Sequence, residues 1–204
     1  IRMVLNLVVQ TVSPEAIGPE MFYLIDKANK ETEETHDLLD NLLKWTKSQT
    51  GRLKVAFQEF EISDVVTGVA DIFTLIAETK KINLTTEYHE EGLKVRADKD
   101  MLNTVLRNFL SNAIKFSNED SSIEIVVSRK DNFAKVGVRD HGVGIAPDRI
   151  DTIFHKGETT YGTNNEEGSG LGLQLCKDFA VKNGGDVMVE SVVGEGSTFS
   201  VLVP

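Results

Sequence analysis

Two asparagines and a lysine lie close together in a stretch that has the apolar periodicity of a helix. Asn108 and Asn112 are four residues apart, and Lys115 follows three residues later. Residues four apart share one helix face, and asparagine is a poor helix former that prefers helix ends. The pair therefore suggests oxygen ligands for a hard cation such as Mg²⁺, with Lys115 as a charge for phosphate. For the pair alone, a polar helix face that packs on a loop is an equally good interpretation.

A carboxylate followed by two glycines closes a segment, residues 134–140, that alternates like a strand. The carboxylate is Asp140, and Gly142, Gly144 and Ile145 follow it. An acidic group at a strand end beside glycines predicts a carboxylate at the rim of a pocket and a backbone that a ligand can approach closely. The alternative is a carboxylate that only caps the strand.

A second glycine-rich cluster leads into a helical stretch at residues 174–182. Its members are Gly168, Ser169, Gly170, Leu171, Gly172 and Leu173. Glycines at a helix N-terminus predict an anion site, because free N–H groups and the positive end of the helix dipole point at the ligand. The fingerprint of dinucleotide-binding folds is an alternative, but it requires a strand directly before the glycines. Residues 158–167, which precede them here, are polar and loop-like.

Taken in order, these motifs resemble the ATP-binding domain of sensor histidine kinases, within the wider ATPase family shared with DNA gyrase and the Hsp90 chaperones. Residues 108–116 resemble the N box, residues 140–144 the first glycine box, residues 153–154 the F box and residues 168–173 the second glycine box. The ending at residues 196–204 resembles the closing strand of the family. The resemblance covers residues 53–204, and the order of the boxes is more specific than any one of them.

The resemblance implies a role for each motif. Asp140 should accept a hydrogen bond from the adenine amine, and Asn112, helped by Asn108, should hold Mg²⁺ against the phosphates. Thr198 could join the water network around adenine, although an ordinary strand threonine is equally plausible. The implied ATP-binding residues are Asn108, Asn112, Lys115, Phe116, Asp140, Gly142, Gly144, Ile145, Gly168, Ser169, Gly170, Leu171, Gly172, Leu173 and Thr198.

The pattern of elements after residue 52 predicts an α+β fold, a two-layer α/β sandwich with helices on one face of a mixed sheet. Strands are expected near residues 53–57, 83–89, 94–97, 122–128, 134–140, 187–191 and 198–203, and helices near 63–80, 98–116 and 170–183. Asp98 is expected to cap the helix that carries the asparagines.

The first part of the chain, residues 1–51, predicts a helical hairpin whose main helix runs from Pro19 to Gln49. A heptad fits this helix at Ile25, Ala28, Thr32, Thr35, Leu39, Leu42, Thr46 and Gln49. Because two helices bury little apolar surface, we expect a homodimer through residues 1–51 that forms a four-helix bundle. The hairpin resembles the dimerisation and histidine-phosphotransfer domain of the same kinases.

The phosphoacceptor histidine of that domain has two candidate positions. His36 precedes an aspartate, as in the family motif, but Leu39 and Asn41 stand where the motif has arginine and proline. The other alignment matches Arg2 and Leu5 to the tail of the motif, which would place the histidine just before residue 1. We expect the second alignment, with His36 as the alternative.

The composition narrows the class of protein and its partners. A net charge of −10 argues against a nucleic-acid partner. No apolar run is long enough to span a bilayer, and the single cysteine fits a reducing compartment, so we expect a cytoplasmic module without membrane contact.

The resemblance implies a response-regulator receiver domain as partner. An ATP-dependent conformational clamp of the same fold and a nucleotide-free dimerisation scaffold are the alternatives.

Overall fold

The computed structural model of the protein describes residues 7–9, 11–50, 54–154, 162–163 and 170–204. The chain divides into two compact units, Ile1–Thr50 and Gly51–Pro204. The described part of the first unit is helical, whereas the second unit combines sheets with helices.

The first unit is dominated by one long helix. Residues 7–9 and 11 are helical, and they are followed by the short helix α1 (Pro14–Ile17) and by α2 (Pro19–Gln49). Gly18 separates the two helices with a φ of 83°, a conformation that favours glycine. Each helix begins with a proline, which suits the first helical position because its N–H would have no partner there. The bounds of α2 confirm the predicted helix.

The described residues of the second unit form seven strands in two sheets. The strands are β1 (Phe57–Glu61), β2 (Asn83–Tyr88), β3 (Lys94–Asp98), β4 (Ser122–Lys130), β5 (Phe133–Asp140), β6 (Asp186–Val192) and β7 (Gly196–Val203). The larger sheet has the order β2-β4-β5-β7-β6, in which β2 and β4 are parallel and the other neighbours are antiparallel. Strands β1 and β3 form a separate antiparallel pair.

Helices cover one face of the larger sheet. The helices of this unit are α3 (Ile62–Thr79), α4 (Lys99–Phe116), α5 (Pro147–Ile150) and α6 (Gly172–Lys182). Alternate residues of the central strands, such as Ile123 and Val138, are almost fully buried beneath them, and the rings of Phe109 on α4 and Phe199 on β7 lie 5.6 Å apart. This packing confirms the predicted two-layer sandwich with a mixed sheet.

The start of the asparagine helix follows the prediction, but the first strand does not. The carboxylate of Asp98 accepts hydrogen bonds from the backbone N–H groups of Asp100 and Met101, at 3.1 and 3.0 Å, as an N-cap does. The strand expected at residues 53–57 is instead β1 at residues 57–61. Its position is set by pairing with β3, in which Phe57 lies opposite Asp98, and not by the apolar residues that precede it.

None of the helices in the described part of the chain combines the length and the apolar character that crossing a lipid bilayer would need.

Candidate nucleotide-binding site

Asp140 is a buried carboxylate at the end of β5. Its side chain and backbone together are 4% exposed, and its Oδ1 accepts hydrogen bonds from the backbone N–H groups of Gly142 at 2.9 Å and Ser197 at 3.2 Å. Burial raises the pKa of Asp140, and these two N–H groups counteract only part of the effect. Its Oδ2 accepts no hydrogen bond from any residue that the structure describes. One carboxylate oxygen is thus held by the backbone, and the other can bind a donor.

The loop after Asp140 packs too tightly for side chains at its glycines. A Cβ on Gly142 would overlap with the carbonyl oxygen of Phe116, at the end of α4. Gly144 has a φ of 67°, and a Cβ there would overlap with the carbonyl oxygen of Val192. The backbone N–H of Ile145 donates to the Ser191 hydroxyl at 2.8 Å. The loop therefore lies fixed between the end of α4 and the turn between β6 and β7.

The two asparagines of α4 have different surroundings. The Nδ2 of Asn108 donates to the carbonyl of Thr104 at 2.9 Å, and its Oδ1 lies where a Cβ on Gly172 would have to be. Asn112 is half-buried, and its side chain has no hydrogen-bond partner among the described residues. An amide oxygen without a protein partner suits a metal ligand, so the structure favours Asn112 over Asn108 for that role. Lys115 and Phe116 are the other two predicted ATP-binding residues of this helix. The Nζ of Lys115 lies 5.2 Å from the centroid of the Phe116 ring.

The second glycine box meets α4 through Gly172, where α6 begins. Gly168 and Ser169 lie outside the described residues, whereas Gly170 has a φ of 67°. Leu171 and Leu173 flank the first helical residue and are half-buried. No side chain caps the N-terminus of α6 among the described residues. The anion site that the glycines predict would use the first N–H groups of this helix.

Of the two interpretations of Thr198, the strand pairing favours an ordinary strand threonine. Thr198 lies opposite Arg139 in the pairing of β5 with β7, whereas Ser197 lies opposite Asp140. Because side chains on a strand alternate between its two faces, Ser197 shares the helix-covered face with Asp140 and Thr198 points to the other face. The Ser197 hydroxyl lies 2.9 Å from that of Ser191. Counting back two residues from the apolar Phe199 would have identified Ser197 from the sequence.

The contacts bring the predicted motifs together around the end of α4. The first glycine box lies against Phe116, and the second against Asn108. In the described part of the chain, no group of three or more histidine, cysteine, aspartate or glutamate side chains could hold a metal ion.

Comparison with known proteins agrees with this geometry. Residues 97–204 match the family described as histidine kinase-, DNA gyrase B- and HSP90-like ATPases. The sensor histidine kinase ZraS of Escherichia coli is 29% identical over 187 residues, which are 92% of this chain and 38% of ZraS. The alginate biosynthesis sensor protein KinB of Pseudomonas aeruginosa is 28% identical over 181 residues, which are 89% of this chain and 30% of KinB.

Among solved structures, the catalytic domain of the histidine kinase ThkA is 27% identical, with a TM-score of 0.64, and the match covers 73% of this chain and 97% of that domain. The chain spans between 30% and 38% of the length of the two curated relatives described above. On the match over residues 97–204, this chain belongs to the family of histidine kinase-, DNA gyrase B- and HSP90-like ATPases.

Proposed function

We propose that this chain is the ATP-binding kinase core of a sensor histidine kinase. It would transfer the γ-phosphate of ATP to a histidine, from which a response-regulator aspartate receives it. The observation that carries the proposal is Asp140, a buried carboxylate with one oxygen held by two backbone N–H groups and the other open to a donor. Family membership and the names of the relatives support the kinase assignment.

The site residues then divide into an adenine end and a phosphate end. At the adenine end, the Oδ2 of Asp140 accepts from the exocyclic amine, and Gly142 and Gly144 let the loop beside it pack against Phe116 and Val192. At the phosphate end, Asn112 supplies an amide oxygen for Mg²⁺, while Lys115 and the N-terminus of α6 attract the phosphates. Mg²⁺, when bound, neutralises charge that develops on the phosphates. The protein acts mainly by positioning, as in other phosphoryl transfers.

Asn108 favours a kinase over a clamp ATPase of the same fold. The resemblance implies that the clamp enzymes carry a glutamate base one turn before the asparagine that holds the metal, and Asn108 occupies that position. Its amide donates to the Thr104 carbonyl at 2.9 Å and cannot accept a proton from water at neutral pH. Phosphoryl transfer to an imidazole needs no such base on this helix.

The helical unit supplies the proposed dimer interface. Leu39 and Leu42, two heptad positions of α2, are 54% and 42% exposed in the single chain. Apolar residues at heptad spacing need a partner helix, and a four-helix bundle through residues 1–51 would cover them. His36 lies on the same helix, and we propose that it is not the phosphoacceptor, because its neighbours depart from the family motif. We place this core in the cytoplasm, where a response regulator would meet it.

Replacing Asp140 tests the adenine end directly. The variant Asp140→Ala removes the acceptor for the adenine amine, and a lost hydrogen bond to a charged group weakens binding by about 1.5–3 kcal/mol, or roughly 10- to 150-fold. Calorimetric titration with Mg²⁺-ATP should show this loss, whereas Asp71→Ala, at an exposed position on α3, should bind like the wild type. Wild-type affinity in Asp140→Ala would contradict the assignment.

A further inference from the structure

A buried lysine lies against the end of α4 that carries Lys115. Lys80, directly after α3, is 8% exposed. Its ammonium group donates to the carbonyl oxygens of Ile114 and Lys115, at 2.9 and 3.2 Å, and to the hydroxyl of Thr163 at 2.6 Å. A lysine has three N–H donors and no acceptor, and these three oxygen atoms all lie within hydrogen-bond distance of its ammonium group. The side chain is therefore fixed at one place.

The end of a helix explains why a cation is stable there. The last four carbonyl groups of a helix lack partners within it, and they form the negative end of the helix dipole. In α4 all four of these carbonyl oxygens accept hydrogen bonds. The Ala113 carbonyl accepts from the N–H of Ser117, at the end of the same helix. The other three accept from distant parts of the chain: Ile114 from Lys80, Lys115 from Lys80 and Thr163, and Phe116 from the N–H of Val143. Burying an amine is costly without such partners.

Thr163 ties a second part of the chain to the same helix end. Its backbone N–H donates to the carbonyl of Lys115 at 3.1 Å, and its hydroxyl lies 3.1 Å from that oxygen and 2.9 Å from the carbonyl oxygen of Ser117. The hydroxyl has one hydrogen, so it donates to one of these carbonyls while it accepts from Lys80. In the sequence, Thr163 comes between the first and second glycine boxes.

We propose that Lys80 and Thr163 are positioning residues for the phosphate end of the nucleotide site, an inference that rests on the proposed function. Both act on the backbone of Lys115, the residue whose ammonium group is assigned to phosphate, and Asn112 lies one turn before it. The adenine end depends on Asp140, which is held by Gly142 and Ser197. Loss of Lys80 should therefore weaken phosphate binding more than adenine binding.

The variant Lys80→Met tests this separation, because it keeps the length of the side chain and removes the three donors. We expect its Kd for Mg²⁺-ATP to rise about tenfold or more, while its Kd for adenosine stays within about twofold of the wild type. Lys81→Met is the matched control, because Lys81 is an exposed neighbour that pairs with Glu119 at 3.2 Å. It should bind both ligands like the wild type.

Thr163→Val gives an independent measurement, because it removes the hydroxyl and keeps the shape of the side chain. We expect its Kd for Mg²⁺-ATP to rise about three- to tenfold. In the double variant, the rise in Kd should be smaller than the product of the two single rises, since the two residues share one hydrogen bond. If Lys80→Met does not fold by circular dichroism, Thr163→Val decides the question.

Two results would overturn the proposal. One is wild-type affinity for Mg²⁺-ATP in the variants. The other is an equal loss of affinity for adenosine and for Mg²⁺-ATP, which would indicate a structural role alone. Failure of the unaltered protein to bind either ligand would instead contradict the proposed function.

Discussion

At the scale of single residues, Asp140 shows a conflict between stability and binding. Burial raises its pKa, so the folded state favours the protonated carboxyl. The stabilisation that the protonated carboxyl contributes is fully present when the pH is below 3.8, the ordinary pKa of aspartate. It is lost as the pH rises through the raised pKa of Asp140 in the folded protein. Ionisation of the buried carboxyl therefore costs stability in the nucleotide-free protein, although the proposed contact with adenine uses this group as a hydrogen-bond acceptor.

The variant Asp140→Asn should separate these two effects. Its amide oxygen can still accept from Gly142 and Ser197, but it carries no buried charge. We expect the melting temperature of the nucleotide-free variant at pH 7 to equal or exceed that of the wild type, by about 2–4 °C for each 1 kcal/mol, while Mg²⁺-ATP binding weakens. The difference in melting temperature should shrink as the pH is lowered toward 4. A variant that melts below the wild type at pH 7 would show that the charge stabilises the fold.

Gly144 offers a comparison between strain and packing. Gly144 and Gly92 both have a φ of 67°, but a Cβ on Gly92 would meet no atom within 4 Å, whereas one on Gly144 would overlap with the Val192 carbonyl. Gly92→Ala should therefore lower the free energy of unfolding by the strain alone, about 1–2 kcal/mol. Gly144→Ala should lower it by about 1–3 kcal/mol more, measured by urea denaturation. Equal losses in the two variants would mean that the loop moves away from β6 without cost.

At the scale of elements, α4 presents two asparagines whose roles can be told apart. Asn112 has no side-chain partner among the described residues, whereas Asn108 is occupied by the Thr104 carbonyl and by packing against Gly172. The affinity for ATP should be compared in Mg²⁺ and in EDTA. Asn112→Ala should remove most of the difference between the two conditions, because an amide ligand of the metal is lost.

Asn108→Ala is the matched variant one turn earlier on the same helix. It should keep a clear Mg²⁺ dependence, although its affinity for ATP is expected to fall as the contact with α6 loosens. If Asn108→Ala abolished the Mg²⁺ dependence and Asn112→Ala did not, the two roles would be reversed.

The elements that could be predicted are those specified by residues close together in the sequence. The apolar spacing of α4 and its cap at Asp98 are local signals, and the predicted helix agrees with Lys99–Phe116. The glycines after Asp140 were likewise recognisable, because they follow a strand that alternates along its whole length. For these segments the sequence predicts the backbone conformation, and nearby residues largely determine that conformation.

The features that could not be predicted depend on contacts between distant segments. Lys80 binds carbonyls that are 34 and 35 positions away and a hydroxyl that is 83 positions away, and no local pattern indicates this. Strand β1 begins later than the sequence predicts, because its limits are set by pairing with β3.

At the scale of the whole molecule, the proposal requires two copies of the chain, and the heptad positions of α2 allow a direct test. Leu39 and Leu42 are heptad positions with 54% and 42% exposure in the single chain, whereas Tyr23, 64% exposed on the same helix, lies outside the heptad. Light scattering of the unaltered protein should give twice the chain mass of 22.5 kDa. A double variant with Leu39→Glu and Leu42→Glu would place charges in the apolar seam of the bundle and should give the mass of one chain.

Tyr23→Glu introduces the same kind of charge outside the seam and should remain a dimer. Because the second unit, Gly51–Pro204, is compact by itself, the monomeric double variant should keep the wild-type affinity for Mg²⁺-ATP. Dissociation by Tyr23→Glu as well would show that the seam lies on another face of α2. A single-chain mass for the unaltered protein at micromolar concentration would contradict the dimer, and the assignment of the nucleotide site would stand, since it depends on residues of the second unit alone.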